Sequence, residues 1–112
     1  MPTGEEPGVE LAMLSVPDCP NAPVLAQRLA EVLAGRQDVT VRHRVIADVA
    51  EAARWGMHGS PTLPVDGTDP FAAPDGGPAV ACRLYRGEGG RLDGAPTVAA
   101  LRRVLGQADA EA

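Results

Sequence analysis

The sequence contains no lysine, few aromatic residues and only two cysteines. Its core must therefore be packed mainly with small aliphatic side chains. All ten basic residues are arginines, scattered along a chain of net charge −5 that would repel nucleic acid and anionic membrane surfaces. No apolar run approaches the length of a membrane span, so we expect neither a nucleic-acid nor a membrane partner. Two cysteines and two histidines give neither a disulfide framework nor a metal-ligand spacing, and we expect no metal.

The length of 112 residues suits one domain, because two cores of half that size would each bury too little apolar surface. Residues 1–8 are acidic and rich in proline and glycine, without the features of a secretory signal. We therefore expect a cytoplasmic protein with a disordered segment at 1–8, a domain at 9–106 and a flexible tail at 107–112.

Hydrophobic periodicity predicts the first elements of an α/β domain. Residues 9–16 are nearly all apolar, as in a strand covered on both faces. Residues 20–34 have helical spacing with prolines early and Gly35 at the end, and 39–45 alternate like an edge strand.

The second half of the chain predicts four more elements and one long loop. Asp48 followed by Glu51 has the spacing of a capping box, and the short helix that it starts should end at Gly56, with Trp55 packed beneath it. The remaining predictions are a brief strand at 62–65, a long loop at 66–79 anchored by Phe71, a strand at 80–85 and a helix at 98–106. This order favours a four-stranded mixed sheet with three helices on both faces.

Cys19 is the first candidate for chemistry. It lies where an apolar strand passes into a helix, and the free N–H groups and dipole of a helix start favour the nucleophilic thiolate. The neighbouring Asp18 acts in the opposite direction. The alternative interpretation is a small buried hydrophobic residue without reactivity.

A second candidate site, residues 55–63 (WGMHGSPTL), resembles the thioredoxin superfamily. That family carries an aromatic-Gly-apolar-basic-Gly-apolar-Pro-Thr-apolar run before its third core strand. The resemblance implies a thioredoxin-like fold, a cis peptide before Pro61 and a substrate bound beside it. It also implies that Cys19, about 40 residues earlier, stands where the family has its first catalytic cysteine.

Two departures from the family pattern limit the chemistry. The family's Cys-x-x-Cys pair is here Cys19-Pro20-Asn21-Ala22, so the motif has no resolving thiol, and Met13 replaces the family's buried acid. A single thiol still acts through a mixed disulfide that an external thiol resolves, as in single-cysteine glutaredoxins. A low-molecular-weight thiol is then the expected co-substrate. The run 89–93 (GGRLD) falls where glutaredoxins hold such a thiol, although an ordinary glycine turn fits it better.

The resemblance also supplies the expected substrate contacts. Pro20 and Asn21 would flank the thiol, while Ser60 and Thr62 would bind substrate on either side of Pro61. His58 would act as acid or base near the thiol, or lie as a solvated polar residue on a loop.

Cys82 is the second thiol. It alternates with Val80 and Leu84, which favours an inert core cysteine. The surrounding residues also resemble small bacterial thioredoxin-like proteins labelled as alkylmercury-lyase related, and that likeness would give Cys19, Cys82 and Asp18 roles in cleaving a carbon–mercury bond.

Three functions therefore remain open from the sequence. The first is a thiol protein in which Cys19 attacks disulfides or other soft electrophiles of peptides or small molecules. The second is a binding module that keeps the fold without turnover. The third is a specialised enzyme that uses Cys19 and Cys82 together. The sequence does not predict an oligomeric state.

Overall fold

The computed structural model describes residues 9–72 and 76–110, and the predicted disordered segment 1–8 lies outside them. The helices and strands, in chain order, are β1 (Val9–Ser15), α1 (Ala22–Val32), β2 (Val39–Val45), α2 (Val49–Trp55), β3 (His58–Ser60), β4 (Ala79–Cys82), β5 (Tyr85–Arg86), β6 (Leu92–Asp93) and α3 (Val98–Ala110). A short 3-10 turn lies between β5 and β6. None of the helices in the described ranges is both long enough and apolar enough to cross a bilayer.

Strand β1 is the centre of the fold, as its apolar sequence predicts. It pairs in parallel with β2, whose other edge has no strand beside it among the described residues, so the predicted edge strand is confirmed. Odd-numbered side chains such as Leu11 and Met13 belong to a core cluster with α1 and α3. Even-numbered Leu14 packs with α2 in a second cluster. Alternation along one strand thus places helices on both faces of the sheet.

The predicted four-stranded sheet is wrong as stated, because the described strands form three two-stranded sheets. Residues 62–65 do lie antiparallel to β1: Leu14 and Thr62 exchange both backbone hydrogen bonds, and Ala12 N–H donates to the Pro64 carbonyl. Pro64 has no N–H to return that bond, so the ladder is interrupted and only isolated bridges remain.

The predicted strand at 80–85 is divided in two. Its first part, β4, pairs in parallel with β3, and its second part, β5, forms a hairpin with β6. Helix α3 continues to Ala110, beyond the predicted end at Gly106 and into the predicted tail. The residues that follow Gly106 include alanines and no proline, so they permit the helix to continue.

The predicted start of α2 at Asp48 is confirmed, and the bond from Glu51 differs from that of a capping box because its donor is Ala47, one residue before the N-cap. The Asp48 carboxylate accepts from Glu51 N–H at 2.9 Å, and the Glu51 carboxylate accepts from Ala47 N–H at 2.8 Å. Gly56 ends the helix with φ 80°, in the left-handed conformation that glycine adopts without strain.

Asp48→Ala is expected to lower the free energy of unfolding by about 1 kcal/mol, because it leaves an N–H of the first turn without its acceptor. Urea denaturation followed by circular dichroism measures the change. Glu31→Ala, which removes an exposed carboxylate from α1, is the control and should change stability little. Equal effects of the two substitutions would contradict a capping role.

Candidate functional site

Cys19 lies in a turn between β1 and α1. Its N–H donates to the Val16 carbonyl at 3.3 Å, and its own carbonyl accepts from Ala22 N–H at 3.3 Å. The helix begins at Ala22, so Cys19 precedes it by three residues rather than standing in its first turn. Asp18 takes a left-handed conformation, with φ 58°, that turns the chain back toward the core. Cys19 is a free thiol and only 7% exposed.

The Ser60–Pro61 peptide is cis, as the resemblance predicted. A hydrogen bond of 3.0 Å from Val16 N–H to the Ser60 hydroxyl joins this segment to the cysteine turn. Segments separated by more than forty positions are thereby in contact, and the position of Cys19 opposite Pro61 stays a prediction.

Tyr85 makes a further contact with the cis-prolyl turn, a role that the sequence did not predict. Its hydroxyl donates to the carbonyl of Pro61. Burial raises the pKa of the Tyr85 hydroxyl well above its usual range; Arg83 opposes the rise, and Asp69 and Cys19 add to it. The only signal in the sequence was that Tyr85 is the sole tyrosine.

The buried side chains of Thr62 and Ser60 form hydrogen bonds with backbone groups near the cis-proline. Thr62 Oγ1 donates to the Gly59 carbonyl and accepts from His58 N–H at 3.1 Å. Ser60 and Thr62 are 1% and 0% exposed, so their side chains are internal supports rather than the predicted substrate contacts. Burial of polar groups is tolerated here because each one has a hydrogen-bond partner.

Arg83 fastens the loop after the prolyl turn. Its guanidinium forms a 2.7 Å ion pair with Asp69, and it donates to Thr62 Oγ1 and to the Phe71 carbonyl. Phe71 meets the Tyr85 ring edge-on at 5.5 Å between centroids, which confirms Phe71 as the loop's anchor. Part of that predicted loop, residues 73–75, lies outside the described chain.

The segment before α3 packs against the residues that follow Cys19. The Asn21 side chain lies against Gly94, where a β-carbon would come within 2.3 Å of it. Arg28 of α1 donates to the carbonyls of Ala95 and Pro96 at 3.1 Å and pairs with Asp93 at 3.2 Å. Asn21 is thus a packing residue, while Pro20 is exposed beside the thiol.

Cys82 is exposed, and the prediction that it lies in the core is wrong. Strand β4 pairs with β3 through an irregular register, and Cys82 stands opposite Ser60 at the outer end of that pairing. Leu84, which was predicted to share the inner face, is 63% exposed. The alternation of apolar residues here does not mark a buried face.

The two histidines and Trp55 make their contacts with groups other than the Cys19 thiol. The His58 ring contacts the Gly77 carbonyl at 3.2 Å, and no hydrogen bond, ion pair or ring contact joins it to Cys19 within the described residues. His43 is bonded to the Ser15 hydroxyl at 2.9 Å. Trp55 is 41% exposed with the Arg44 guanidinium over its ring, so the prediction that it packs beneath α2 is wrong.

The described residues contain no group of three His, Cys, Asp or Glu side chains placed to hold a metal ion. Comparison with known proteins finds no match to a family model, a curated protein or a solved structure.

Proposed function

We propose that this chain is a thioredoxin-like thiol protein in which Cys19 is a single nucleophile toward disulfides or other soft electrophiles. The observation that carries the proposal is the junction of the cysteine turn with the cis-prolyl turn. The Ser60 hydroxyl accepts a hydrogen bond from Val16 N–H, and the Val16 carbonyl accepts one from Cys19 N–H, while Tyr85 donates to the Pro61 carbonyl.

The arrangement of elements supports the fold that this function requires. A central strand has a parallel neighbour, helices on both faces and an antiparallel segment following a cis-proline. These are the features that the resemblance to thioredoxins led us to expect. The interrupted pairing at Pro64 is a local departure from that plan.

The proposed reaction is thiol–disulfide exchange with an external thiol. The Cys19 thiolate attacks one sulfur of the substrate disulfide, a new S–S bond forms, and the other half of the substrate leaves as a thiolate that takes a proton from water. A low-molecular-weight thiol then attacks the mixed disulfide and regenerates Cys19. The departing half of the substrate is thereby reduced to a thiol, and the low-molecular-weight thiol ends in a mixed disulfide with the other half. A second low-molecular-weight thiol releases that half, so that two thiols are oxidised to one disulfide as the substrate is reduced by two electrons.

Burial of Cys19 favours a second candidate, a binding module that has lost turnover. A side chain that is 7% exposed admits only a small or extended reactant. The motif also lacks a resolving thiol. In this second function the surface around Pro20 and Pro61 would hold a peptide or small molecule without covalent chemistry.

The position of Cys82 favours a third candidate, an enzyme with two thiols of the alkylmercury-lyase kind. Cys82 stands opposite Ser60 in the β3–β4 register, and Ser60 is hydrogen-bonded to the cysteine turn. Cys82 is exposed and free, so its thiol is accessible to a substrate, and the third candidate requires that Cys19 bind the same molecule.

Reaction with glutathione disulfide, followed by intact-protein mass spectrometry, separates these functions. The Cys82→Ser variant removes the exposed thiol, so that any adduct reports on Cys19 alone. We expect this variant to form a mixed disulfide faster when folded than when unfolded in urea, and to lose it on addition of excess glutathione. A merely buried thiol reacts more slowly in the folded protein, because burial hinders attack.

The Cys19→Ser variant is the matched control and should form an adduct only at Cys82, at a rate that folding changes little. Slower reaction of Cys19 in the folded state would contradict the thiol function and favour the binding module. Cleavage of an organomercurial that requires both cysteines would favour the third candidate.

A further inference from the structure

A second concave site lies on the face of the β1–β2 sheet away from the Cys19 core cluster. Its floor includes Ala12 and Leu14 of β1, and the parallel register places Arg42 beside Ala12 and Arg44 beside Leu14. The groove has a volume of about 370 Å³, within the range of small-molecule pockets. Trp55 of the short helix α2 lines it as well.

The two arginines in this groove have no anionic partner in the described chain. The Arg42 side chain makes no hydrogen bond or ion pair there, and the single side-chain contact of Arg44 is the Trp55 ring, 3.7 Å from the guanidinium carbon. Residues two apart on one strand are separated by about 6.6 Å, so like charges lie side by side. The only carboxylate in the lining is Glu10, which stands opposite Thr40, one residue pair before Arg42.

Protection of an edge strand accounts for only part of this arrangement. Exposed charges on an edge discourage pairing with another chain. That role needs no cavity, no apolar floor and no half-exposed tryptophan, yet all three accompany the arginines here. Two unpaired cations above an apolar floor, in a chain of net charge −5, are complementary to an anion with an apolar part.

We propose that this groove binds a small organic anion, either a phosphate monoester or a dicarboxylate. The guanidinium groups of Arg42 and Arg44 hold its oxygens through paired hydrogen bonds, and its carbon skeleton lies on Ala12 and the exposed part of Trp55. The site does not use Cys19, so it is independent of the proposed thiol function.

The single tryptophan makes the groove directly observable, because all tryptophan fluorescence comes from Trp55. Titration with butyl phosphate, inorganic phosphate, glutarate and neutral butanol should give a saturable change with butyl phosphate or glutarate and none with butanol. Tighter binding of butyl phosphate than of inorganic phosphate identifies a phosphate monoester, and a response to glutarate alone identifies a dicarboxylate. Calorimetry provides a second readout that does not depend on the Arg44–Trp55 contact.

Arg42→Gln and Arg44→Gln should each weaken binding about tenfold, the effect of removing one charge-assisted contact. The control is Arg102→Gln on α3, which makes the same change in net charge outside the groove lining. Circular dichroism verifies that each variant is folded. The proposal is overturned if no anion saturates the signal, if butanol binds as well, or if Arg102→Gln weakens binding as much as Arg42→Gln.

Discussion

Replacing Arg83 by methionine is expected to lower the free energy of unfolding by about 3–5 kcal/mol. The substitution leaves the Asp69 carboxylate, whose side chain is only 5% exposed, without its cation. It also removes the donors to the Phe71 carbonyl and to Thr62, and the cation above the Tyr85 ring. An uncompensated buried charge costs more than the ion pair contributes, which is why the effect should be large.

Urea denaturation of the single and double variants tests this explanation. The double variant Arg83→Met, Asp69→Leu should be more stable than Arg83→Met alone, because it leaves no buried charge behind. Arg102→Met, at an exposed position on α3, should change stability by less than about 0.5 kcal/mol. If the double variant is no more stable than the single one, the buried carboxylate is not the cause.

Leu25→Ala is expected to lower the free energy of unfolding by about 2–5 kcal/mol. Leu25 is fully buried where α1 meets β1 and α3, so its truncation loses apolar contacts and leaves a cavity. Leu84→Ala makes the same chemical change at a side chain that is 63% exposed. The surface variant should lie within about 0.5 kcal/mol of wild type, and similar losses at the two sites would contradict the assigned core.

Local signals in the sequence predicted the parts of the fold that depend on neighbouring residues. The helix start at Asp48, the edge strand at 39–45 and the cis-proline at Pro61 are all present. Each has its cause within a few residues: a side chain that caps its own helix, a simple alternation, or a distinctive run around the proline.

Features that depend on distant pairing were not predictable in the same way. The parallel pairing of β3 with β4 depends on where a long loop returns, and local composition does not specify that position. The exposure of Cys82 follows from this pairing rather than from its alternation with apolar neighbours.

The residues of the candidate site also divide into those with a local sequence motif and those positioned by distant contacts. Cys19 and Pro61 were found from their local motifs, whereas Tyr85 and Arg83 contribute through contacts with residues up to 24 positions away. Ser60 and Thr62 were found by position but misassigned, because the sequence does not show whether a polar side chain faces solvent or the interior.

Arg28 donates hydrogen bonds to the carbonyls of Ala95 and Pro96, which follow it by 67 and 68 positions in the chain. Leu101 and Leu105 of α3 join side chains of α1 over the face of β1 that carries Leu11 and Met13. During synthesis this cluster is complete only after residue 105 has been made, so a chain that ends before α3 leaves part of that face of β1 in water.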